Sequence, residues 1–141
     1  MNNPSSGHDS LVLLVEDEQD TADLVTLIMK ERGYQVLHAA DGSVALEKIA
    51  LMSPPSLVML DIQLPHVDGI TILETIRATP DWENVPVIML TGVADQDKIR
   101  KVRTLRIQDY VLKPFRQETL LQSVDQSRKT SARPQSSQLS Q

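Results

Sequence analysis

A chain of 141 residues, 40% hydrophobic and 23% charged, is sized for one domain with a proper core and is not a low-complexity or fibrous sequence. It has no cysteine, which excludes disulfides and thiolate metal sites, and no apolar run approaches the roughly 18 residues of a membrane helix. The net charge of −5 is unevenly spread, with 4 basic and 14 acidic side chains in residues 1–90 and 10 basic and 5 acidic in residues 91–141, a division that fits either distinct contact surfaces or a solvated face.

Residues 1–9 are polar, lack the apolar core of a secretory signal and read as a disordered lead, so a cytoplasmic location is expected. Leu11–Val15 is a first buried strand, stopping at Glu16-Asp17-Glu18. Leu24, Leu27 and Ile28 recur at helical spacing and are expected to face inward, with Gly33 as the stop. Tyr34–His38 is a second strand. Asp41-Gly42 opens a helix with Val44, Ala45 and Ile49 on one stripe, closed by Pro54-Pro55. Leu57–Leu60 is a strand of four apolar residues running straight into Asp61, and Pro65 and Gly69 shape the loop after it. A helix over Asp68–Ala78 turns Leu73 and Ile76 inward, and the loop to Pro86 carries Trp82 as an anchor. Val87–Leu90 is a fourth strand, ending at Thr91-Gly92. A charged helix spans about Ala94–Thr104. Tyr110–Leu112 is a fifth strand, ending at Lys113-Pro114-Phe115. Leu120, Leu121 and Val124 mark a last helix, and from about Ser127 the apolar periodicity stops. The domain is therefore expected over residues 10–127, with 128–141 a disordered Ser/Gln-rich tail or linker.

Strand–helix units in strict alternation imply a parallel sheet covered by helices on both faces. In such open sheets the functional crevice lies beyond the carboxyl ends of the strands. Glu16, Asp17, Asp61, Thr91 and Lys113 all fall there. Three carboxylates in one crevice repel one another and are relieved by protonation or by a cation. An all-oxygen set suits a hard ion, Mg²⁺ above all. Lys113 offers a mobile positive charge for an anion, and the Thr91 hydroxyl can donate to a phosphoryl oxygen. A carboxylate nucleophile, a divalent ion, a lysine and a hydroxyl are what phosphoryl transfer to a carboxylate requires.

These pieces, taken together, resemble the receiver domain of two-component response regulators, in a stand-alone, chemotaxis-receiver-like form. The resemblance rests on Val15-Glu16-Asp17-Glu18, the Asp61…Pro65…Asp68-Gly69 loop, Thr91-Gly92, and Tyr110…Lys113-Pro114-Phe115. It implies a flavodoxin-like, doubly wound five-stranded sheet of order 2-1-3-4-5. It implies that Asp61 accepts a phosphoryl group from a sensor histidine kinase or a histidine phosphotransfer protein. It further implies Mg²⁺ held by Asp17, Asp61 and the backbone carbonyl of Gln63, with Glu16 acting through water. Thr91 and Lys113 would contact the phosphoryl group, Tyr110 is similar to the family's switch aromatic, and the Lys113-Pro114 bond to one that is cis. The output would be an unidentified downstream protein, with no membrane and no direct nucleic-acid contact by this chain. The charged helix, through Lys98, Arg100, Lys101 and Arg103, is a docking surface on this reading and otherwise a solvated face.

The sequence also departs from the family's pattern. Glu16 stands where many members have Asp. Arg106-Ile107 replaces the usual Gly-Ala pair. Gln63 and Val93 occupy the two positions that tune phosphoryl lifetime, and apolar Val93 cannot orient a water, which implies a longer-lived phosphoaspartate. His66 lies close enough in sequence to Asp61 to sense its charge or else is solvated. His38 reads as structural, and His8 falls in the lead. Three other functions compete. One is the receiver of a DNA-binding regulator whose effector domain is absent from this chain. Another is an aspartate-nucleophile phosphatase, disfavoured because position 63 is Gln and offers no acid for a leaving group. The last is a degenerate receiver, against which the full set of site residues argues. No Gly-rich Lys-Ser/Thr loop for a nucleoside triphosphate is present.

Overall fold

The computed structural model describes residues 10–132, with side chains to Arg128. The expectations for residues 1–9, His8 among them, and for 133–141 lie outside the described residues. The strands are β1 (Leu11–Val15), β2 (Gln35–Ala39), β3 (Leu57–Leu60), β4 (Val87–Thr91) and β5 (Asp109–Leu112). The helices are α1 (Gln19–Glu31), α2 (Gly42–Leu51), α3 (Gly69–Ala78), α4 (Gln96–Thr104) and α5 (Gln117–Ala132). All pairings are parallel and the order is β2-β1-β3-β4-β5. The flavodoxin-like arrangement is thus present.

Side chains on a strand alternate between faces, and the core divides accordingly. Leu13, Val15, Val58, Leu60, Val87 and Met89 pack with Ala45, Ile49, Ile72, Leu73, Ile76 and Val102 from α2, α3 and α4. Val12, Leu14, Leu57, Met59, Ile88 and Leu90 pack with Val25, Met29, Leu120 and Val124 from α1 and α5. Every residue of β3 is buried, as a central parallel strand covered on both faces must be.

The inward stripe of α1 differs from the expected one. Ala22, Val25, Ile28 and Met29 are buried, whereas Leu24 and Leu27 are 47% and 57% exposed. The two stripes share Ile28, and the side of the helix carrying the small Ala22 is the one that fits flush against the sheet. The last helix continues to Ala132, five residues beyond the boundary drawn at 127. Ser123 and Ser127 are buried there, their hydroxyls held by the Asp109 carboxylate and the Val124 carbonyl. Trp82 anchors the α3–β4 loop, buried with its indole N–H donating to the Met52 carbonyl at 3.2 Å. Asp41, Asp68 and Asp95 cap the amino ends of α2, α3 and α4, each accepting from backbone N–H groups.

Candidate functional site

The register brings the strand ends level. Val15 lies opposite both Ala39 and Leu60, Leu60 opposite Met89, and Thr91 opposite Leu112. The first residues past the strands remain tied to their neighbours. Glu16 N–H donates to the Ala39 carbonyl, Asp61 N–H to that of Val15, and Lys113 N–H to that of Thr91. Glu16, Asp61 and Lys113 are therefore held by backbone bonds at one edge of the sheet, with Thr91 as the last residue of β4.

The loop after Asp61 closes on itself. Gln63 N–H donates to Asp61 Oδ1 at 3.2 Å, and Gly69 N–H to the Ile62 carbonyl at 2.8 Å. A side chain at Gly69 is excluded by close approach, since a Cβ there would stand 2.0 Å from the Asp61 carbonyl oxygen. Gly69 thus lets α3 start against the backbone of Asp61 and Ile62. His66 lies in the left-handed region at φ 73. Its Nδ1 lies 3.5 Å from Asp41 Oδ2, and the ring is exposed. The exposed ring agrees with the solvated alternative for His66, with Asp41 as its nearest carboxylate contact.

Lys113 Nζ is the electrostatic centre of the site. It stands 3.0 Å from Asp61 Oδ2, 2.8 Å from Glu16 Oε1 and 3.7 Å from Glu18 Oε1. Burial pulls the Lys113 ammonium toward a lower pKa, but its bonds to Glu16 and Asp61 more than offset this, and the net direction is upward. Burial pushes Glu16 up, against the lowering effects of Lys113 and of the Glu18 backbone N–H, which donates to Glu16 Oε2. Glu16 Oε1 meets the distance of an ion pair with Lys113 but not the angles of a hydrogen bond, and so is a buried oxygen short of a donor. His38 Nε2, 2.7 Å from the Glu16 carbonyl, fixes the backbone from the β2 side, a structural role as expected.

Glu16, Asp17 and Asp61 each offer an oxygen, and all three lie within 4.8 Å of one another. Glu16 and Asp61 are 1% and 5% exposed, while Asp17 faces solvent. An all-oxygen set that includes a buried oxygen short of a donor fits a hard divalent cation. Thr91 is buried, its Oγ1 accepting from Val93 N–H at 3.3 Å. Tyr110, half-buried on β5, donates its hydroxyl to the Val93 carbonyl. Both residues therefore engage the backbone of Val93, at the entry to α4. The Lys113–Pro114 peptide is cis.

Lys98, Arg100, Lys101 and Arg103 are all exposed on α4. Arg100 pairs with Asp97 and Lys101 with Glu74, whereas Lys98 and Arg103 make no ion pair among the described residues. Two participants were not singled out from the sequence. Glu18 adds a third carboxylate around Lys113, legible only as the third acid of Glu16-Asp17-Glu18. Arg77 gathers backbone carbonyls beneath α4, and no residue pattern announces it.

Residues 12–125 match the response regulator receiver domain family. The chain is 36% identical over 114 residues to the DNA-binding dual master transcriptional regulator RpaA of Synechocystis, covering 80% of this chain and 46% of that protein. It is 41% identical over 114 residues to the regulatory protein VanR of Enterococcus faecium, covering 80% and 47%. It thus spans about half the length of these curated relatives. Among solved structures, the receiver domain of sensor histidine kinase PA1611 from Pseudomonas aeruginosa, described with a magnesium ion coordinated in the active site cleft, superposes with a TM-score of 0.75. That alignment is at 28% identity and covers 83% of this chain and 95% of that one.

Proposed function

Because the chain belongs to the response regulator receiver domain family, a signalling module rather than a substrate-turnover enzyme, we propose that Asp61 accepts a phosphoryl group from a phosphohistidine donor and that the modified site switches a protein-docking surface. The observation that carries this reading is Lys113 Nζ, 3.0 Å from Asp61 Oδ2 and backed by Glu16. An Asp61 oxygen bonds to phosphorus as the bond to the donor imidazole nitrogen breaks. Lys113 is positioned to exchange its carboxylate contacts for the transferred oxygens and offset their charge, and the Thr91 hydroxyl to donate to one of them. A Mg²⁺ ion held by Glu16, Asp17, Asp61 and the Gln63 carbonyl supplies further charge compensation when bound. Glu16 and the family's usual Asp differ in reach, so Glu16 acts through water or directly according to that length.

The donor is a sensor histidine kinase or a histidine phosphotransfer protein, and both meet the chain in the cytoplasm. Output leaves through α4, whose Lys98, Arg100, Lys101 and Arg103 suit a partner with an acidic patch. The relationship to RpaA over about half its length favours a second reading, in which this receiver controls DNA binding by another part of a longer regulator. The mass of the native protein isolated from cells separates the two.

The test is reaction of the purified protein with a small phosphodonor, with and without Mg²⁺. Wild type is expected to gain one acid- and base-labile phosphoryl group only when Mg²⁺ is present. Asp61→Asn, which keeps size but removes the nucleophilic charge, is expected to gain none. Labelling of that variant at the wild-type rate would refute the assignment.

A further inference from the structure

The two ends of α4 are held in different ways. At its amino end the hydrogen bonds that tie the helix to the site, among the described residues, run through the backbone of Val93. Thr91 Oγ1 accepts from Val93 N–H at a long 3.3 Å, and the Tyr110 hydroxyl donates to the Val93 carbonyl. From Ala94 to Lys98 every residue is exposed. At the carboxyl end the packing is dense. Val102 is fully buried, Leu105 partly, and Lys101 Nζ reaches Glu74 Oε2 on α3 at 3.3 Å.

Arg77, in the last turn of α3, completes that end. Its Nε donates to the Leu105 carbonyl at 2.8 Å and its Nη2 to that of Arg106 at 2.9 Å. Its Nη1 donates to the carbonyls of Val85 at 2.7 Å and Glu83 at 3.0 Å in the α3–β4 loop. One planar guanidinium therefore serves four carbonyls on two separate segments, which a single ammonium could not do. The Leu105 and Arg106 carbonyls terminate α4, where partial negative charge accumulates and a cation is favoured. Arg77 is thus a C-cap supplied from a different helix.

We infer that Arg77 is the pivot of α4: it fastens the carboxyl end to α3 and the α3–β4 loop, so that rearrangement at Thr91 and Tyr110 tilts the amino half about a fixed end instead of displacing the whole helix. The inference rests on the proposed phosphoryl switch for its physiological trigger, but the asymmetry of attachment is independent of it. Tilting carries Lys98 and Arg100 further than Arg103, which lies beside the pivot. The basic surface then changes shape with the state of the site, not merely in exposure. The change of partners falls at Val93, at one end.

Amide hydrogen exchange read by mass spectrometry tests the pivot in two arms. The first needs no phosphorylation. Tyr110→Phe deletes the hydroxyl that holds the Val93 carbonyl and is expected to speed exchange across residues 93–99 while leaving 103–108 at the wild-type rate. Arg77→Gln is expected to raise exchange across 103–108 by about tenfold or more, equivalent to losing one charge-assisted hydrogen bond. Arg77→Lys, which keeps the charge but cannot span both segments, is expected to fall between, and it serves if the Gln variant does not fold. Adding Tyr110→Phe to Arg77→Lys should make exchange rise along the whole helix. In the second arm wild type is treated with phosphodonor and Mg²⁺, with the phosphoryl group verified by intact mass, and changes are expected in 92–99 and not in 103–108. Unchanged exchange at 103–108 in both Arg77 variants overturns the pivot. So does a change at 103–108 as large as that at 92–99, either in Tyr110→Phe or in the phosphorylated protein. Absence of any mass gain defeats the phosphoryl reading instead, and the first arm still decides the pivot.

Discussion

Lys113→Met removes the cation that, among the described residues, alone contacts both Glu16 and Asp61, and its cost can be bounded from the geometry. At 2.8 and 3.0 Å, each pair is worth about 6 kcal/mol of gross attraction at an effective dielectric of about 20. Most of that is cancelled by the desolvation of Lys113 that the variant no longer suffers. Truncating one partner of a buried pair leaves a net deficit of about 3–5 kcal/mol. Glu16 limits the deficit by protonating. From its ordinary pKa of 4.5, that escape costs about 3.5 kcal/mol at pH 7, at about 1.4 kcal/mol per pH unit. The sign follows from linkage. Folding already raises the Glu16 pKa, and loss of Lys113 raises it further, so the folded state binds the proton more tightly than the unfolded chain does. Stability of the variant therefore rises as pH falls from 7 toward 4.5. In wild type the raised Lys113 pKa contributes stability that is complete below about pH 10.5 and is lost only above it, so that term is constant across the same window. Added Mg²⁺ supplies positive charge to the same oxygens and stabilises by mass action, by about 2.7 kcal/mol at a hundredfold excess over Kd. Urea and thermal melts at pH 7 and pH 5, with and without Mg²⁺, read all three effects. A variant within about 1 kcal/mol of wild type at pH 7, or a deficit indifferent to both acid and Mg²⁺, would show that Lys113 does not neutralise this site.

Three further outcomes are expected. Gly69→Ala places a methyl 2.0 Å from the Asp61 carbonyl oxygen and 2.8 Å from Ile62 Cα; it should cost about 1–3 kcal/mol in denaturant melts by overpacking and slow phosphorylation of Asp61, and a neutral result on both would mean the loop is not fixed as described. Arg106 sits in the left-handed region at φ 64 directly after the α4 C-cap; Arg106→Gly should stabilise by up to about 1 kcal/mol and Arg106→Ala should not, so an equal gain in both would remove the backbone explanation. Asp17→Ala relieves repulsion at an exposed position and removes a cation ligand, so the apo protein should melt slightly higher and its Mg²⁺-dependent shift should shrink; equal shifts in variant and wild type would exclude Asp17 from the cation site.

The fold was legible where burial forces residue choice. A strand buried on both faces admits only apolar side chains, so Leu57–Leu60 and Val87–Leu90 stand out, and the polar residue that follows each marks a strand end. Strand order was not legible from alternation alone and came only with the family resemblance. The α1 stripe was misplaced because leucine is both a core residue and a strong helix former. Leu24 and Leu27 satisfy the spacing rule while facing water, and Ala22, the small residue that lets the helix lie close to the sheet, carries little hydrophobic signal. Arg106-Ile107 stood out in the sequence as a departure, and the structure shows what it costs. The position takes a positive φ, where glycine is at ease and arginine is held at some cost.

The site divides along a related line. In the proposed function Asp61, Glu16, Asp17, Thr91 and Lys113 act through side chains meeting side chains or phosphate, so that chemistry would dictate residue type at fixed places in the chain. Arg77 meets only main-chain carbonyls, and any residue can supply a carbonyl. Glu83, Val85, Leu105 and Arg106 are unconstrained in type by that contact, and the sequence around them carries no trace of it. Arg77 is half-buried, and that burial, with repulsion from Arg106 added, pulls its pKa down to about 10. A half-buried cation with no carboxylate partner among the described residues is favoured where its N–H groups are satisfied otherwise, and here four carbonyls satisfy them. The helix they terminate is the one whose opposite end answers to Thr91 and Tyr110. Residues that read the state of the site are thus fixed by side-chain chemistry, while the residue that sets where α4 can turn is fixed by backbone geometry, which is why only the first group could be found from the sequence.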